Sequence, residues 1–152
     1  TQTRPASRGT LRLASTDPKD PPRIDPNYLA EEKDRQQMRD GMKLLRDLCK
    51  QPALAKISEP EMLPGPDVRT DTELDAYIRR TAESIYHPVG TARMGKDDEA
   101  PVDSSTMAVR GIGNLYVADA SAMPQLVSGN TNATAIMIGT KGADLIQAAL
   151  DS

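Results

Sequence analysis

The chain has 152 residues, of which 38% are hydrophobic and 27% charged, and its formal net charge is -3. This length suits one domain, and because phenylalanine and tryptophan are absent its core is predicted to be aliphatic. No stretch approaches the ~20 apolar residues of a membrane span, and the mixed charge offers no cationic surface to nucleic acid. Since Cys49 and His87 are each the only residue of their type, an internal disulfide and a zinc cluster are excluded, and a reducing, cytoplasmic location is expected.

The first thirty residues are rich in proline, aspartate and arginine and predict mostly loop. Residues 10–15 alone alternate as a half-buried strand does, with Leu11 and Leu13 on one face. Three Asp-Pro pairs push the surrounding backbone towards extended or turn geometry.

Residues 31–50 predict an amphipathic helix, because helix formers dominate and apolar residues recur at spacings of three and four. The apolar stripe comprises Met38, Met42, Leu45, Leu48 and Cys49. The opposite face comprises Glu31, Glu32, Lys33, Asp34, Arg35, Arg39, Asp40 and Arg46. We interpret this charged face as solvated and give it no function. The segment 51–68 predicts a loop with a short strand near Met62.

A second helix is predicted from Thr70 to about Ser84, opened by the capping box of Thr70 and Glu73. Two short strands are predicted at residues 106–110 and 114–118, joined by a turn. The last helix, residues 132–149, is apolar on nearly every side and is expected to be covered on most faces. Its Gly139 and Gly142 predict the close approach of another backbone, since glycine otherwise costs a helix about 1 kcal/mol.

Two segments carry residues that could do chemistry. His87 precedes Pro88, and the following residues hold Gly90 and Gly95, a pattern that either lets the backbone pass close to a flat ligand or forms a plain loop. By itself a lone histidine is more often structural than catalytic. A serine nucleophile elbow and a dinucleotide fingerprint are both missing from the sequence.

The second segment, residues 119–134, leaves a predicted strand and enters the last helix. Asp119 could accept from a hydroxyl or cap the turn. The polar run 128–132 could bind an anion or cofactor at the helix N-terminus, but the pattern favours ordinary N-capping by asparagine or serine.

The chain resembles the C-terminal part of the glucose-methanol-choline (GMC) oxidoreductases, especially the choline dehydrogenase-like alcohol dehydrogenases. The resemblance rests on HPVGTARMG (87–95), PVDSSTMAVRGIGNLYVADASAMP (101–124) and SGNTNATAIMIGTKGADLI (128–146), in the family's order and spacing, and on SRGTLRLASTDPKDPPRIDPNYL (7–29). It implies a flavoprotein that moves a hydride from an alcohol carbon to the flavin N5 while a side chain accepts the hydroxyl proton.

The resemblance also implies residue roles. His87 would be the proton acceptor, a task that suits a side chain titrating near neutrality. Asn130 matches a second active-site position, where its amide would orient the substrate oxygen. Asp119 and Ala120 match the strand-end pair beside the FAD ribityl and phosphates.

Thr131 and Asn132 match family residues that lie against the flavin ring, and the N-terminus of the last helix would favour negative charge there. The implied fold is α+β, in which residues 1–113 belong to a substrate-binding region with an antiparallel sheet and helices on one face. Residues 114–152 would add the last strand and helix of the FAD-binding domain.

The N-terminal Rossmann unit is absent from the sequence, and most of the FAD site is expected with it, in an N-terminal portion of the same polypeptide. With its first residue Thr1, the chain is expected to be a part of a longer protein, inactive alone, whose parent could be membrane-associated. The expected partners are that portion and an alcohol substrate. The alternative is a non-catalytic binding or regulatory module derived from the same domain, against which the presence of both His87 and Asn130 argues.

Overall fold

Helices account for most of the regular secondary structure in residues 2–151, the part of the chain that the computed structural model describes. They occur together with small two-stranded sheets, which confirms a mixed α+β class. The chain divides into two units, Thr1–Ser84 and Ile85–Ser152, each described below by itself. None of the described helices is long and apolar enough to cross a membrane.

The first unit contains two strands and three helices. They are β1 (Thr10–Arg12), β2 (Arg23–Asp25), α1 (Glu32–Cys49), α2 (Pro52–Ala55) and α3 (Asp71–Thr81). β1 lies within the strand predicted at 10–15 but is shorter, and the half-buried character predicted for it is wrong, since all three of its residues are exposed. It pairs antiparallel with β2, which lies where a loop was predicted. The described residues around Met62 form no strand, and the predicted loop contains the short α2.

α3 begins as the sequence predicts. The Thr70 hydroxyl accepts from the Glu73 N–H at 3.3 Å, and the Glu73 carboxylate accepts from the Thr70 N–H at 2.9 Å, which confirms the capping box. Leu74 and Ile78 are buried. The helix ends at Thr81, short of the predicted Ser84, because the backbone is already extended at the next residue.

The charged face of α1 is not solvated throughout, so that interpretation is wrong for two residues. Asp34 is 1% and Arg39 4% exposed, whereas Leu45 of the apolar stripe is 60% exposed. Arg39 donates to both carboxylate oxygens of Asp75 on α3 and to Glu32. Buried charges are tolerated where partners replace water in this way.

Asp34 joins the N-terminal segment to α1. Its carboxylate accepts from the backbone N–H groups of Ala6 and Ser7, each at 2.7 Å, and from the side chains of Ser7 and Gln2. Burial acts to raise the pKa of Asp34, but these donors outweigh it and hold the pKa below its usual value.

The second unit contains β3 (Met94–Gly95), β4 (Val102–Asp103), a 3-10 turn (Ala120–Ala122) and α4 (Asn132–Leu150). β3 and β4 pair in parallel. The strands predicted at 106–110 and 114–118 are wrong, since those segments form only isolated bridges. Met107 and Asn114 have φ values of 62° and 60°, in the left-handed region, and this interrupts an extended ladder.

The core of the second unit is aliphatic, as predicted, and centres on Met107, Ala122, Met123 and Ile138. α4 packs on this core through Gly142, where an added Cβ would lie 2.6 Å from the Ala118 Cβ. The predicted close approach at this glycine is therefore confirmed. The expected cover on most faces is not provided by the described residues, because Ile136 and Met137 of α4 are 62% and 55% exposed.

Candidate active site

Three segments of the second unit are in contact with one another: the loop that begins at His87, the 3-10 turn and the start of α4. The Ala92 N–H donates to the carbonyl of Ser121 at 3.1 Å, which joins the loop after His87 to the 3-10 turn. Thr131 Oγ1 lies 3.1 Å from His87 Nδ1, which joins the same loop to the start of α4. The folded chain thus brings together the two segments that the sequence singled out.

His87 is half-buried, and its two ring nitrogens have different surroundings. Nδ1 is within hydrogen-bond distance of Thr131, while Nε2 has no partner among the residues the structure describes. One nitrogen is therefore held by the protein and the other can reach a ligand. A general base needs this combination of a fixed orientation and an open basic atom.

The glycines after His87 are explained by the chain's own backbone. Gly90 has φ +85°, and an added Cβ would lie 3.2 Å from the carbonyl oxygen of Met123. At Gly95 an added Cβ would lie 2.8 Å from the Ala100 Cβ. These contacts account for the two glycines without a flat ligand, so the plain-loop interpretation suffices.

The N-terminus of α4 has no side-chain cap, and the favoured N-capping by asparagine or serine is therefore wrong. Thr131 occupies the N-cap position, but its hydroxyl makes no capping hydrogen bond. The N–H groups of Asn132, Ala133 and Thr134 have no acceptor among residues 2–151. Such groups carry the partial positive charge of a helix N-terminus and attract anionic or polar oxygen atoms.

Asn130 is exposed, and its side chain has no hydrogen-bond partner within the described part of the chain. It immediately precedes Thr131, so the contact of Thr131 with His87 brings the loop bearing Asn130 to the same site. The neighbouring Gly129 is surrounded by open space, since an added Cβ would meet nothing within 4 Å. A ligand therefore has room beside this loop.

Asp119 caps the 3-10 turn. Its Oδ1 accepts from the backbone N–H of Ser121 at 2.7 Å and from the hydroxyl of the same residue. Its Oδ2 has no partner in residues 2–151, and the side chain is exposed. The adjacent Ala120 is half-buried and packs against the core.

The contact between Thr131 and His87 was not predicted, because no local pattern connects residues that are 44 positions apart. The resemblance assigned both residues to one site but did not predict a contact between them.

The described residues contain no group of three His, Cys, Asp or Glu side chains that could hold a metal ion.

The site thus combines a histidine that has one unpartnered nitrogen with an uncapped helix N-terminus, in a mixed α+β fold. The chain belongs to the GMC oxidoreductase family, whose sequence profile matches residues 5–139. It is 49% identical over 147 residues to an alcohol dehydrogenase [acceptor] of Pseudomonas putida, covering 97% of this chain and 26% of that protein. It is 46% identical over 144 residues to an oxygen-dependent choline dehydrogenase of Klebsiella pneumoniae, covering 95% and 26%.

Solved structures share the fold. The crystal structure of pyridoxine 4-oxidase from Mesorbium loti superposes with a TM-score of 0.86 at 37% identity, over 93% of this chain and 28% of that one. An FAD-dependent oxidoreductase from Chaetomium thermophilum gives a TM-score of 0.89 at 32% identity, over 98% and 26%. The chain thus spans about a quarter of the length of the relatives it matches.

Proposed function

We propose that this chain is the catalytic end of an FAD-dependent alcohol dehydrogenase or oxidase in which His87 accepts the hydroxyl proton of the substrate. The observation that carries the proposal is the imidazole itself, held at Nδ1 by Thr131 and open at Nε2. The similarity to an alcohol dehydrogenase of Pseudomonas putida at 49% identity supports the substrate class.

The residues present fit FAD at two places. Asn132 and Thr131 lie at the start of α4, where uncapped N–H groups suit polar oxygen and nitrogen atoms of a flavin ring. Asp119 keeps Oδ2 for a ribityl hydroxyl, next to the half-buried Ala120. When bound, FAD supplies the acceptor for the hydride that leaves the alcohol carbon.

The chain's own residues accept the substrate proton and orient the substrate oxygen. The substrate hydroxyl donates to Nε2 of His87, and its proton moves to that nitrogen as the carbon–oxygen bond gains double-bond character. Such a transfer contributes about 10²–10⁴ to the rate. The amide of Asn130, which has no protein partner in residues 2–151, donates to the same substrate oxygen and fixes its orientation.

We also propose the arrangement of the complete protein. Residues 1–113 belong to the substrate-binding region, whose antiparallel sheet with helices on one face is completed by the rest of the polypeptide. Residues 114–152 add the last strand and helix to the FAD-binding domain, most of which lies in an N-terminal portion. The exposed apolar side chains of α1 and α4 support this arrangement, because the rest of the polypeptide would cover them.

The exposed, unpaired thiol of Cys49 suits a cytoplasmic location.

The proposal is tested on the complete polypeptide that contains this chain. We expect the purified protein to have the absorption bands of bound FAD and to reduce a dye when a primary alcohol is added. Because the carbon–hydrogen bond breaks, an alcohol deuterated at the reacting carbon should be oxidised more slowly. Bound FAD without any alcohol-dependent dye reduction would contradict the proposal and favour the non-catalytic module.

A further inference from the structure

The hydroxyl of Thr131 is turned to His87 rather than to the helix it begins. At an N-cap position a threonine hydroxyl ordinarily accepts from an N–H of the first turn, yet no such bond forms here. The side chain is 8% exposed, and its single polar partner within residues 2–151 is Nδ1 of His87 at 3.1 Å. α4 leaves its first N–H groups uncapped while this hydroxyl contacts the imidazole.

The contact is compatible with two placements of hydrogen. In the first, Nδ1–H donates to Thr131 Oγ1, and Nε2 of His87 keeps a lone pair. In the second, the threonine hydroxyl donates to Nδ1, and Nε2 carries the hydrogen. A proton can be taken up at Nε2 only in the first placement.

The first placement, in which Nδ1–H donates to Thr131 Oγ1, also persists after the proton transfer. Once Nε2 of His87 has accepted the substrate proton, both ring nitrogens are N–H donors. Thr131 Oγ1 accepts from Nδ1–H before and after this step, so the contact needs no reorganisation. In the second placement the hydroxyl would have to rotate away, because a protonated Nδ1 no longer accepts.

We propose that Thr131 is a positioning residue that accepts from Nδ1–H of His87 and so makes Nε2 the basic atom. This inference rests on the function proposed above and adds a role to a residue that the family resemblance assigned to the flavin ring. The proton path itself is unchanged: it leaves the substrate hydroxyl and is bound at Nε2.

The kinetic test uses the complete flavin-loaded enzyme with three variants. Thr131→Val keeps the shape and removes the hydroxyl, and we expect kcat to fall roughly 2- to 12-fold, the range of one neutral hydrogen bond, with KM and flavin content little changed. Thr131→Ser restores a hydroxyl and should recover most of kcat. Thr81→Val is the matched control on α3, because the Thr81 hydroxyl also donates to a carbonyl of its own helix, that of Tyr77, at 2.9 Å. An unchanged kcat in Thr131→Val with full flavin would overturn the inference.

The tautomer is measured separately from activity. In protein labelled with ¹⁵N-histidine, the ring signals of His87 are identified by their loss in His87→Gln, and at a pH where the ring is neutral we expect a protonated Nδ1 and an unprotonated Nε2. An Nε2–H form as the main species in the wild type would overturn the inference, whether or not the enzyme oxidises alcohols. Conversely, a wild-type enzyme with the expected tautomer and no alcohol oxidation would contradict the proposed function alone.

Discussion

His87 and Asp34 are the two residues whose surroundings say most about their roles. His87 has one nitrogen held and one open, as a reacting group requires. Asp34 has both carboxylate oxygens occupied by protein donors, which suits a structural role. The contrast separates the candidate catalytic group from a buried charge that serves the fold.

We expect Asp34→Asn to lower the free energy of unfolding by about 1–3 kcal/mol, because an amide would direct its own N–H atoms at buried donors. Asp40→Asn is the matched control, since Asp40 lies on the exposed face of the same helix. The thermal unfolding midpoints of the two variants check this. Equal midpoints would contradict the structural role of Asp34.

The pH dependence follows from the sign of the shift at Asp34. Its pKa is lower in the folded protein than in an unfolded chain, so the folded state binds this proton less tightly. The stabilisation is therefore complete above the unfolded pKa, about 3.9, and is lost as the pH falls through the folded value. The wild type should lose stability over this acid range more steeply than Asp34→Asn; parallel profiles would count against this account.

At the residue scale, the sequence predicted candidate chemical groups but not their contacts. Its motifs drew attention to His87 and Asn130 through the family resemblance, but burial of Asp34 was not predicted. A carboxylate on a helix is usually solvated, and its donors lie in an N-terminal segment about thirty residues away. Local patterns carry no information on such distant partners.

Among the elements, α4 was predicted from its apolar sequence, and it packs closely on the rest of its unit at one of its two glycines. Gly142 lies against Ala118, where an added Cβ would be only 2.6 Å from another Cβ, whereas Gly139 faces the Ala118 carbonyl oxygen at an ordinary 3.6 Å. The two glycines of one helix therefore differ in what they tolerate.

We expect Gly142→Ala to destabilise the protein by about 1–3 kcal/mol through overpacking, despite alanine's better helix propensity. Gly139→Ala is the control and should be neutral or stabilising by up to about 1 kcal/mol. Denaturant unfolding of both variants measures the difference. If the two substitutions had the same effect, the packing of α4 on Ala118 would be wrong.

Secondary structure was predicted correctly where neighbouring residues determine it, and incorrectly where contacts between distant residues do. Helical periodicity and the capping box of Thr70 and Glu73 predicted the starts of α1, α3 and α4, but not the short α2. The strands predicted at 106–110 and 114–118 do not form, because the backbone is left-handed at Met107 and Asn114, which the local sequence pattern does not show. The face of α1 that packs within its unit was also predicted incorrectly, since periodicity finds an apolar stripe without showing what covers it.

The whole molecule is a GMC oxidoreductase chain that spans about a quarter of the length of its relatives. Its candidate site has a histidine and an uncapped helix N-terminus but little else that could surround a cofactor. Large apolar side chains of α1 and α4 are exposed, among them Leu44 at 69% and Ile136 at 62%. These features agree with a site that other parts of a polypeptide complete.

We therefore expect the chain alone to show no bound-flavin spectrum after incubation with FAD and no alcohol-dependent dye reduction. The physical reason is that the residues proposed to touch FAD all lie on one unit and form only one wall of its site. Absorption spectra after gel filtration and a dye assay with several primary alcohols check this. A flavin-bound, active chain would contradict the proposed division of the site.

The most direct test of the central claim is the rate of alcohol oxidation per bound FAD in the complete enzyme carrying His87→Ala. With the proton acceptor removed, the account predicts a fall of about 10²–10⁴ in turnover while flavin content stays near that of the wild type. The variant Thr81→Val on α3 serves as the control and should keep the wild-type rate. A near-normal rate for His87→Ala at full flavin content would remove His87 from the base role and contradict the account.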